Sequence, residues 1–297
     1  YYPNQLPFNG DITSVPDWLI KSYLQFLFSS PHLFQERGQV ESYADYIYKM
    51  LTCVTQDIFA NPKSEFWKKV ALWVSQNLNF IPLYFSSADL RYLCEKRASI
   101  IEFALSHYGF KLEHSFPMRS AGRSKIRLGI LKEHFFPQTE TYTALSLFEY
   151  LDRTKFEVIL YTLKIAHYPL EQYCQNKADK LVKLPENLAS QVQCIRSDEL
   201  DILFVGTNVT AVTKPTTLIA SHRLARLQVT SINSPVTTGM RNIDYYIAGQ
   251  FSIPENLEQY REQTVTVEGS GLCFSHRLTS EKPQIHPTRS NWGVSNQ

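Results

Sequence analysis

The chain has 297 residues, and its 30 Lys and Arg against 28 Asp and Glu give a formal net charge of +2. A nucleic-acid-binding protein usually carries a clearly basic face, so this balance argues against a nucleic-acid partner. The 43 % hydrophobic and 20 % charged fractions exclude a disordered chain. No uncharged apolar run reaches the roughly 18 residues of a membrane span, so no membrane partner is expected. The length favours two domains.

The five cysteines are odd in number and widely scattered along the chain. They form no CxxC pair, and none lies near a histidine at zinc-ligand spacing, so neither a disulfide framework nor a metal site is predicted. Reduced thiols are typical of a cytoplasmic protein. The cysteines are Cys53, Cys94, Cys174, Cys194 and Cys273.

The first third of the chain has the pattern of packed helices. Apolar residues at nearly every position of residues 17–28, Trp18 among them, predict a buried helix. Asn61 as N-cap and Pro62 in the first turn predict the start of another helix. A third apolar-periodic segment ends at Gly109, a residue typical of helix C-termini.

Residues 115–125 (SFPMRSAGRSK) change the character of the sequence, with Pro, Gly, Ser and basic residues but few apolar anchors. This composition marks a domain boundary. We therefore expect an all-α domain over residues 1–120 and an α/β domain over residues 121–275.

Short apolar strands alternate with amphipathic helices after this boundary. The alternation predicts βαβ crossovers and a mostly parallel sheet with helices on both faces. Ligands of such sheets bind at the carboxyl ends of the strands, which directs attention to the loops at 132–141, 206–215 and 233–240. The expected strands are residues 126–131, 156–162, 181–184, 201–205, 227–232 and 244–248, and the expected helices are residues 141–151, 186–195 and 215–222.

The common nucleotide and hydrolase motifs are absent from these loops. No GxGxxG follows the first strand, and no GxxxxGK[ST] occurs in the chain. A dinucleotide dehydrogenase and a P-loop NTPase are therefore disfavoured. The absence of GxSxG disfavours an α/β-hydrolase.

The loops carry polar side chains that suit a binding site. His134 titrates near neutrality and could act as a general base, and small hydroxylated residues let a backbone approach a ligand closely. Two other interpretations stay open: Thr139 or Thr141 only caps a helix with His134 a polar loop residue, and the other two loops are ordinary turns. The candidate substrate-binding residues are Gln138, Thr139, Thr141, Gly206, Thr207, Asn208, Pro235, Thr237, Thr238 and Gly239.

Residues 222–251 (HRLARLQVTSINSPVTTGMRNIDYYIAGQF) resemble the family-41 glycosyltransferases, the O-linked N-acetylglucosamine transferases of the SPINDLY type. The shared pattern is a Gln-Val strand, a loop ending in Thr-Thr-Gly and an Ile-Asp-Tyr strand. Residues 154–163 are similar to the second strand of the same domain. The helical region, with its NPKSEFW and FIPLYF segments, is similar to the all-α domain of cyanobacterial SPINDLY-like proteins, so the resemblance spans residues 16–297.

The resemblance implies the first half of a GT-B fold, a parallel Rossmann-like sheet that shapes the acceptor side of an inverting transferase. Residues 276–297 would then lead into a second Rossmann-like domain that holds most of the UDP-sugar donor. A protein would be the acceptor, through Ser/Thr or Asn, and the sugar would be GlcNAc or glucose. No metal or other cofactor is implied, and the 297 residues alone are expected to be inactive.

One position departs from the family pattern. The family's loop after the first catalytic strand carries a histidine discussed as the base, and this position falls at Gln138 or Thr139 here. His134 or Glu140 could take its place as the catalytic base, and His134 is expected beside residues 237–239. A non-catalytic protein-binding module on a degenerate Rossmann-like scaffold is the alternative.

The three loops are also expected to present apolar side chains to a partner domain. On this interpretation four side chains should be uncovered and should form an apolar patch. They are Phe135, Phe136, Val236 and Met240.

Overall fold

A computed structural model describes residues 1–251, 257–271 and 273–275. The N-terminal part, up to residue 107, is described in full and contains helices and no strand. A parallel sheet with further helices starts at residue 126. The predicted linker to a second domain, residues 276–297, lies outside the described residues.

Four helices form the N-terminal part, and their apolar faces share one core. The longest helix places Tyr43, Ile47, Met50, Val54 and Ile58 in that core at spacings of three and four residues, the repeat of one helix face. The helices are α1 (Ile20–Leu27), α2 (Gln39–Ala60), α3 (Glu65–Asn77) and α4 (Arg91–His107).

Two expectations about the helical part were wrong. Asn61 ends α2 instead of starting α3, and Ser64 is the N-cap of α3, with its hydroxyl accepting from the Trp67 N–H at 3.5 Å. Trp18 precedes α1 and is 81 % exposed, because the helix starts two residues later and buries Ile20 and other side chains. The prediction that Gly109 stops a helix is confirmed by its φ of +83° just after α4.

The sheet is parallel throughout, as the sequence predicts, and its strand order is β3-β2-β1-β4-β5-β6-β7. Strand β1 lies between β2 and β4, with Leu128 opposite Val158 on one side and Ile202 on the other. The strands are β1 (Ile126–Lys132), β2 (Phe156–Thr162), β3 (Lys180–Lys183), β4 (Leu200–Val205), β5 (Ala225–Ser231), β6 (Tyr245–Gly249) and β7 (Gln263–Val267).

Helices cover both faces of the sheet, which confirms the predicted α/β class. Alternate residues of the central strands point to opposite faces, so Ile130 and Leu160 belong to one apolar cluster and Leu131 and Ile159 to the other. Two helices, α5 (Thr139–Leu145) and α6 (Pro169–Asn176), pack on the first face. On the second face lie α7 (Leu188–Ser197) and α8 (Pro215–Ala220).

The helical part packs against the carboxyl ends of β4 and β5. The Phe80 N–H donates to the Ala211 carbonyl at 2.8 Å, and Ala98 of α4 shares an apolar cluster with Val205 and Met240. The loops that follow these two strands are therefore partly buried under helices. Within the described ranges, the helices are all too short or too polar to cross a bilayer.

Candidate functional site

The strand order creates a crevice between the carboxyl ends of β1 and β4. The chain leaves β1 toward α5 on one face of the sheet and leaves β4 toward α8 on the other, so the two loops diverge. Open α/β sheets bind ligands at such a switch point. Three loops are predicted to carry the site, and the loops after β1 and β4 are the two that border this crevice.

A buried lysine that sequence reasoning did not single out lies at the base of the crevice. Lys132 is the last residue of β1 and is 0 % exposed. Its ammonium donates to the Gly206 carbonyl at 3.0 Å and lies 3.7 Å from Oε2 of Glu140. Burial lowers the pKa of Lys132 to about 8, and the nearby Glu140 carboxylate opposes that shift.

Glu140, in the first turn of α5, connects the loops after β1 and β4. Its Oε2 accepts from the Thr207 hydroxyl at 3.1 Å, and its Oε1 accepts from the Asn208 N–H at 3.4 Å. The structure thus brings together the predicted residues Glu140, Gly206, Thr207 and Asn208. Both oxygens of this carboxylate are already hydrogen-bonded within the protein.

His134 stands on the side of the crevice toward β2. Its ring stacks on Phe136, with centroids 4.1 Å apart, and Phe136 in turn meets Tyr168 edge-on. Its Nδ1 accepts a long hydrogen bond of 3.4 Å from the Phe136 N–H. Burial is the main cause of a lowered pKa of His134, with Lys132 adding to it and Glu133 opposing it. The imidazole is therefore neutral at pH 7.

The remaining predicted residues of the first loop have backbone roles at the start of α5. The Gln138 carbonyl accepts from the Thr141 N–H at 2.9 Å, and the Thr139 carbonyl accepts from the Thr143 hydroxyl at 3.1 Å. Thr139 is exposed, whereas Thr141 is fully buried. Neither hydroxyl caps the helix, since no side-chain bond closes its N-terminus.

The loop after β5 packs against the helical part. The Thr237 hydroxyl donates to Oε2 of Glu262 at 2.5 Å, and the Thr238 N–H donates to Oε1 at 2.8 Å. Gly239 lies against the backbone of Cys94, and a Cβ there would approach the Cys94 carbonyl carbon to 2.3 Å. The hydroxyls of Thr237 and Thr238 are therefore occupied, and their predicted contact with substrate remains a prediction.

The expected neighbourhood of His134 and residues 237–239 is not among the contacts of the described residues. His134 contacts Phe136, two strands away from the loop that follows β5. Pro235 is the exposed member of that loop, and it borders a cavity of about 360 Å³ together with Tyr84 and Tyr260.

The expectation of an uncovered apolar patch was wrong for two of its four side chains. Phe135 is fully buried between the sheet and α5, and Met240 is buried in the cluster that joins α4 to the sheet. Val236 is half-buried against the core of the helical part, and Phe136 is half-buried against His134 and Tyr168. The chain's own helices cover much of the surface that was expected to face a partner.

Among the residues that the structure describes, no group of three or more His, Cys, Asp or Glu side chains could hold a metal ion. The five cysteines are all free thiols.

Comparison with known proteins finds relatives of the SPINDLY type. No family model matches the chain. The probable UDP-N-acetylglucosamine–peptide N-acetylglucosaminyltransferase SPINDLY of Arabidopsis thaliana is 28 % identical over 162 residues, which are 50 % of this chain and 17 % of that protein. The SPINDLY protein of Solanum lycopersicum is 28 % identical over 156 residues, 50 % of this chain and 16 % of its own length. The alignments thus span about a sixth of these relatives.

A solved structure has the same fold. A mutant O-GlcNAc transferase from Thermobaculum terrenum superposes with a TM-score of 0.52 at 20 % identity, over 76 % of this chain and 42 % of that one. The chain therefore has the α/β fold of an O-GlcNAc-transferase-type protein, with a Rossmann-like sheet. The resemblance to SPINDLY-type glycosyltransferases, predicted from the sequence, is confirmed.

Proposed function

We propose that this chain is the acceptor-side part of a protein glycosyltransferase of the SPINDLY type, which transfers GlcNAc or glucose from a UDP-sugar to a protein side chain with inversion. The observation that carries the proposal is the position of His134, in the loop that follows β1 and borders the switch-point crevice of a sheet with the fold of an O-GlcNAc transferase. Burial lowers the pKa of His134, which favours the neutral imidazole that a base needs. The free, scattered thiols favour the cytoplasm as its compartment.

The reaction needs a proton acceptor and a stabilised leaving group. The acceptor's hydroxyl or amide nitrogen attacks C1 of the sugar, and its proton passes to His134. The bond from C1 to the diphosphate oxygen breaks, and its electron pair leaves with UDP. In this proposal a second Rossmann-like domain supplies most of the UDP contacts, and no metal takes part.

His134 suits the role of base better than Glu140 does. The Glu140 carboxylate accepts from Thr207 and Asn208 and faces the Lys132 ammonium, so both of its oxygens are already engaged. His134 gives up only one long hydrogen bond when its Nδ1 takes a proton.

In this proposal three of the predicted substrate-binding residues contact the acceptor. Gln138 and Asn208 are half-buried at the crevice, and Thr139 is exposed at its rim. Gly206, Thr207 and Thr141 are buried and form the wall behind them.

Replacement of the base tests the proposal in the full-length protein. We expect His134→Ala to lower turnover by about 10²-fold or more, the lower end of general-base contributions. The KM for the donor should stay the same, because the UDP ligands lie elsewhere. His32→Ala, an exposed histidine of the helical part, is the matched control and should leave turnover unchanged. Unchanged turnover in His134→Ala would exclude His134 as the base.

The burial of two carboxyl-end loops favours one alternative, a non-catalytic protein-binding module. The 208–213 and 234–240 segments are occupied by helical contacts and by Glu262, which leaves fewer side chains for substrate. A wild-type full-length protein that neither binds UDP nor consumes UDP-sugars would support the module and contradict the transferase.

A further inference from the structure

The buried ammonium of Lys132 has no part in the proton transfer and sugar transfer proposed above. It lies at the end of a strand whose preceding residues, Ile130 and Leu131, are fully buried apolar side chains. A Met or Leu of similar volume would fill such a position without the desolvation penalty of a charge. Packing alone therefore does not explain a lysine here, because its charge makes burial at this position less favourable than burial of an apolar side chain.

The contacts of Lys132 form a closed ring across the crevice. Its ammonium holds the Gly206 carbonyl at the end of β4 and faces Glu140 in α5. Glu140 in turn accepts hydrogen bonds from the Thr207 hydroxyl and the Asn208 N–H in the loop after β4. The Gly206 N–H also donates to the Leu131 carbonyl at 3.0 Å, and one cation and one carboxylate add the side-chain contacts that tie α5 to both strands at this edge.

We propose that Lys132 is a positioning residue, which holds Glu140 and the loop after β4 in register with β1 and so fixes the wall of the crevice in which His134 acts. The inference rests on the proposed transferase function for its effect on turnover. The other part of the inference, that Lys132 orders the loop after β4, does not depend on that function.

The charged groups around Lys132 determine how the ring responds to pH. Glu140 opposes the burial that lowers the pKa of Lys132 to about 8, and Lys214 adds to the lowering; Cys174 of α6 also faces the ammonium. Burial lowers the pKa of His134, Lys132 and Lys164 lower it further, and Glu133 and Glu140 raise it. Above pH 8 the ring therefore loses its cation, and Glu140 is left as an uncompensated carboxylate.

The test compares Lys132→Met, Glu140→Gln and the double variant in the full-length protein, with Lys180→Met as a control lysine. Lys180 belongs to β3, and its side chain is 56 % exposed and 3.6 Å from Asp198. We expect Lys132→Met to lower kcat/KM by about 10- to 100-fold, the cost of a misplaced catalytic group. The double variant should recover part of that loss, because it also removes the unpaired carboxylate. Lys180→Met should leave kcat/KM unchanged.

Two readouts separate positioning from general stability. In the wild type, kcat/KM should fall above pH 8 as Lys132 loses its proton, and this fall should be absent in Lys132→Met. The acid limb of the pH profile, which reports His134, should move to higher pH in Lys132→Met because Lys132 lowers the pKa of His134. Hydrogen exchange of the Asn208 amide, which donates to Glu140, should accelerate in Lys132→Met and not in Lys180→Met.

The outcomes distinguish this inference from the proposed function. A wild-type protein without transferase activity would refute the function, while the exchange of the Asn208 amide would still decide the role of Lys132. Unchanged exchange at Asn208 would overturn the positioning role whatever the activity. In an active enzyme, a double variant as impaired as the product of the two single variants would overturn it too, since independent effects multiply.

Discussion

At the scale of single residues, the surroundings of His134 determine the pH range in which it can take a proton. Burial lowers the pKa of His134 from 6.5, Lys132 and Lys164 lower it further, and Glu133 opposes them. The imidazole therefore stays neutral, and competent as a base, to a lower pH than an exposed histidine. We predict that kcat/KM of the full-length enzyme is half-maximal on its acid side below pH 6.5.

Glu133→Gln provides the control for this pH profile. Removal of the Glu133 carboxylate should move the acid limb to still lower pH, because Glu133 raises the pKa of His134 more than Glu140 does. An acid limb at or above pH 6.5, or one that moves upward in Glu133→Gln, would contradict the prediction.

The sequence predicted part of this site and could not predict the rest. His134, Glu140, Thr207 and Asn208 were found because polar residues follow predicted strands. The sequence does not indicate a role for Lys132, because a lysine that follows an apolar strand is predicted to be the first exposed residue of the loop. The partner of Thr237 and Thr238 could not be predicted either, since Glu262 is 24 residues beyond Thr238 and just before a strand that was not predicted.

At the scale of elements, the loop from β5 to β6 touches the backbone of α4 at one glycine. Gly239 has a φ of +68°, and a Cβ would lie 2.3 Å from the Cys94 carbonyl carbon. Gly109 has a similar φ of +83°, but nothing lies within 4 Å of its Cβ position. In both alanine variants the left-handed backbone conformation lowers the free energy of unfolding by about 1–2 kcal/mol. Only Gly239→Ala must also move α4 away from the loop.

We therefore predict that Gly239→Ala lowers the free energy of unfolding by about 2 kcal/mol more than Gly109→Ala does, a typical cost of overpacking. Urea denaturation of the two variants measures the difference. Equal losses would mean that α4 and the loop separate without cost, contrary to the close contact.

The strength of the local signal separates the elements that the sequence predicted from those it did not. Strands such as β4 are apolar runs buried on both faces, so they stand out and fix the parallel class. Strand β7 is exposed along most of its length and shows no such run. Helix α2 starts after Gly38 with no side-chain cap, so the usual start signal is absent from the longest helix.

At the scale of the whole molecule, one buried cation joins the helical part to the sheet. Arg97 of α4 donates to the Val209 and Thr210 carbonyls, both at 3.0 Å, and to the Thr213 hydroxyl at 3.1 Å. Its guanidinium also lies over the ring of Phe80, 5.4 Å from the centroid. These contacts connect a helix to the same β4 loop that borders the crevice, so the helical part helps to hold that loop.

Replacement of Arg97 should loosen this connection. We predict that Arg97→Met leaves the two carbonyls without their donor and lowers the stability of the 297-residue chain by about 2 kcal/mol, since an unsatisfied buried acceptor costs about 1–3 kcal/mol. Lys96→Met is the matched control, because the Lys96 ammonium lies over Tyr92 within α4 and does not reach the sheet.

Two probes weight the two parts of the chain differently. Trp18, Trp67 and Trp73 lie in the helical part, so tryptophan fluorescence mainly follows its unfolding, whereas far-UV circular dichroism follows helices and sheet together. If Arg97 couples the two parts, their urea midpoints coincide in the wild type and in Lys96→Met but separate in Arg97→Met. Coincident midpoints in all three proteins, with no loss of stability in Arg97→Met, would show that the apolar contacts of α4 with Val205 and Met240 hold the parts together without the cation.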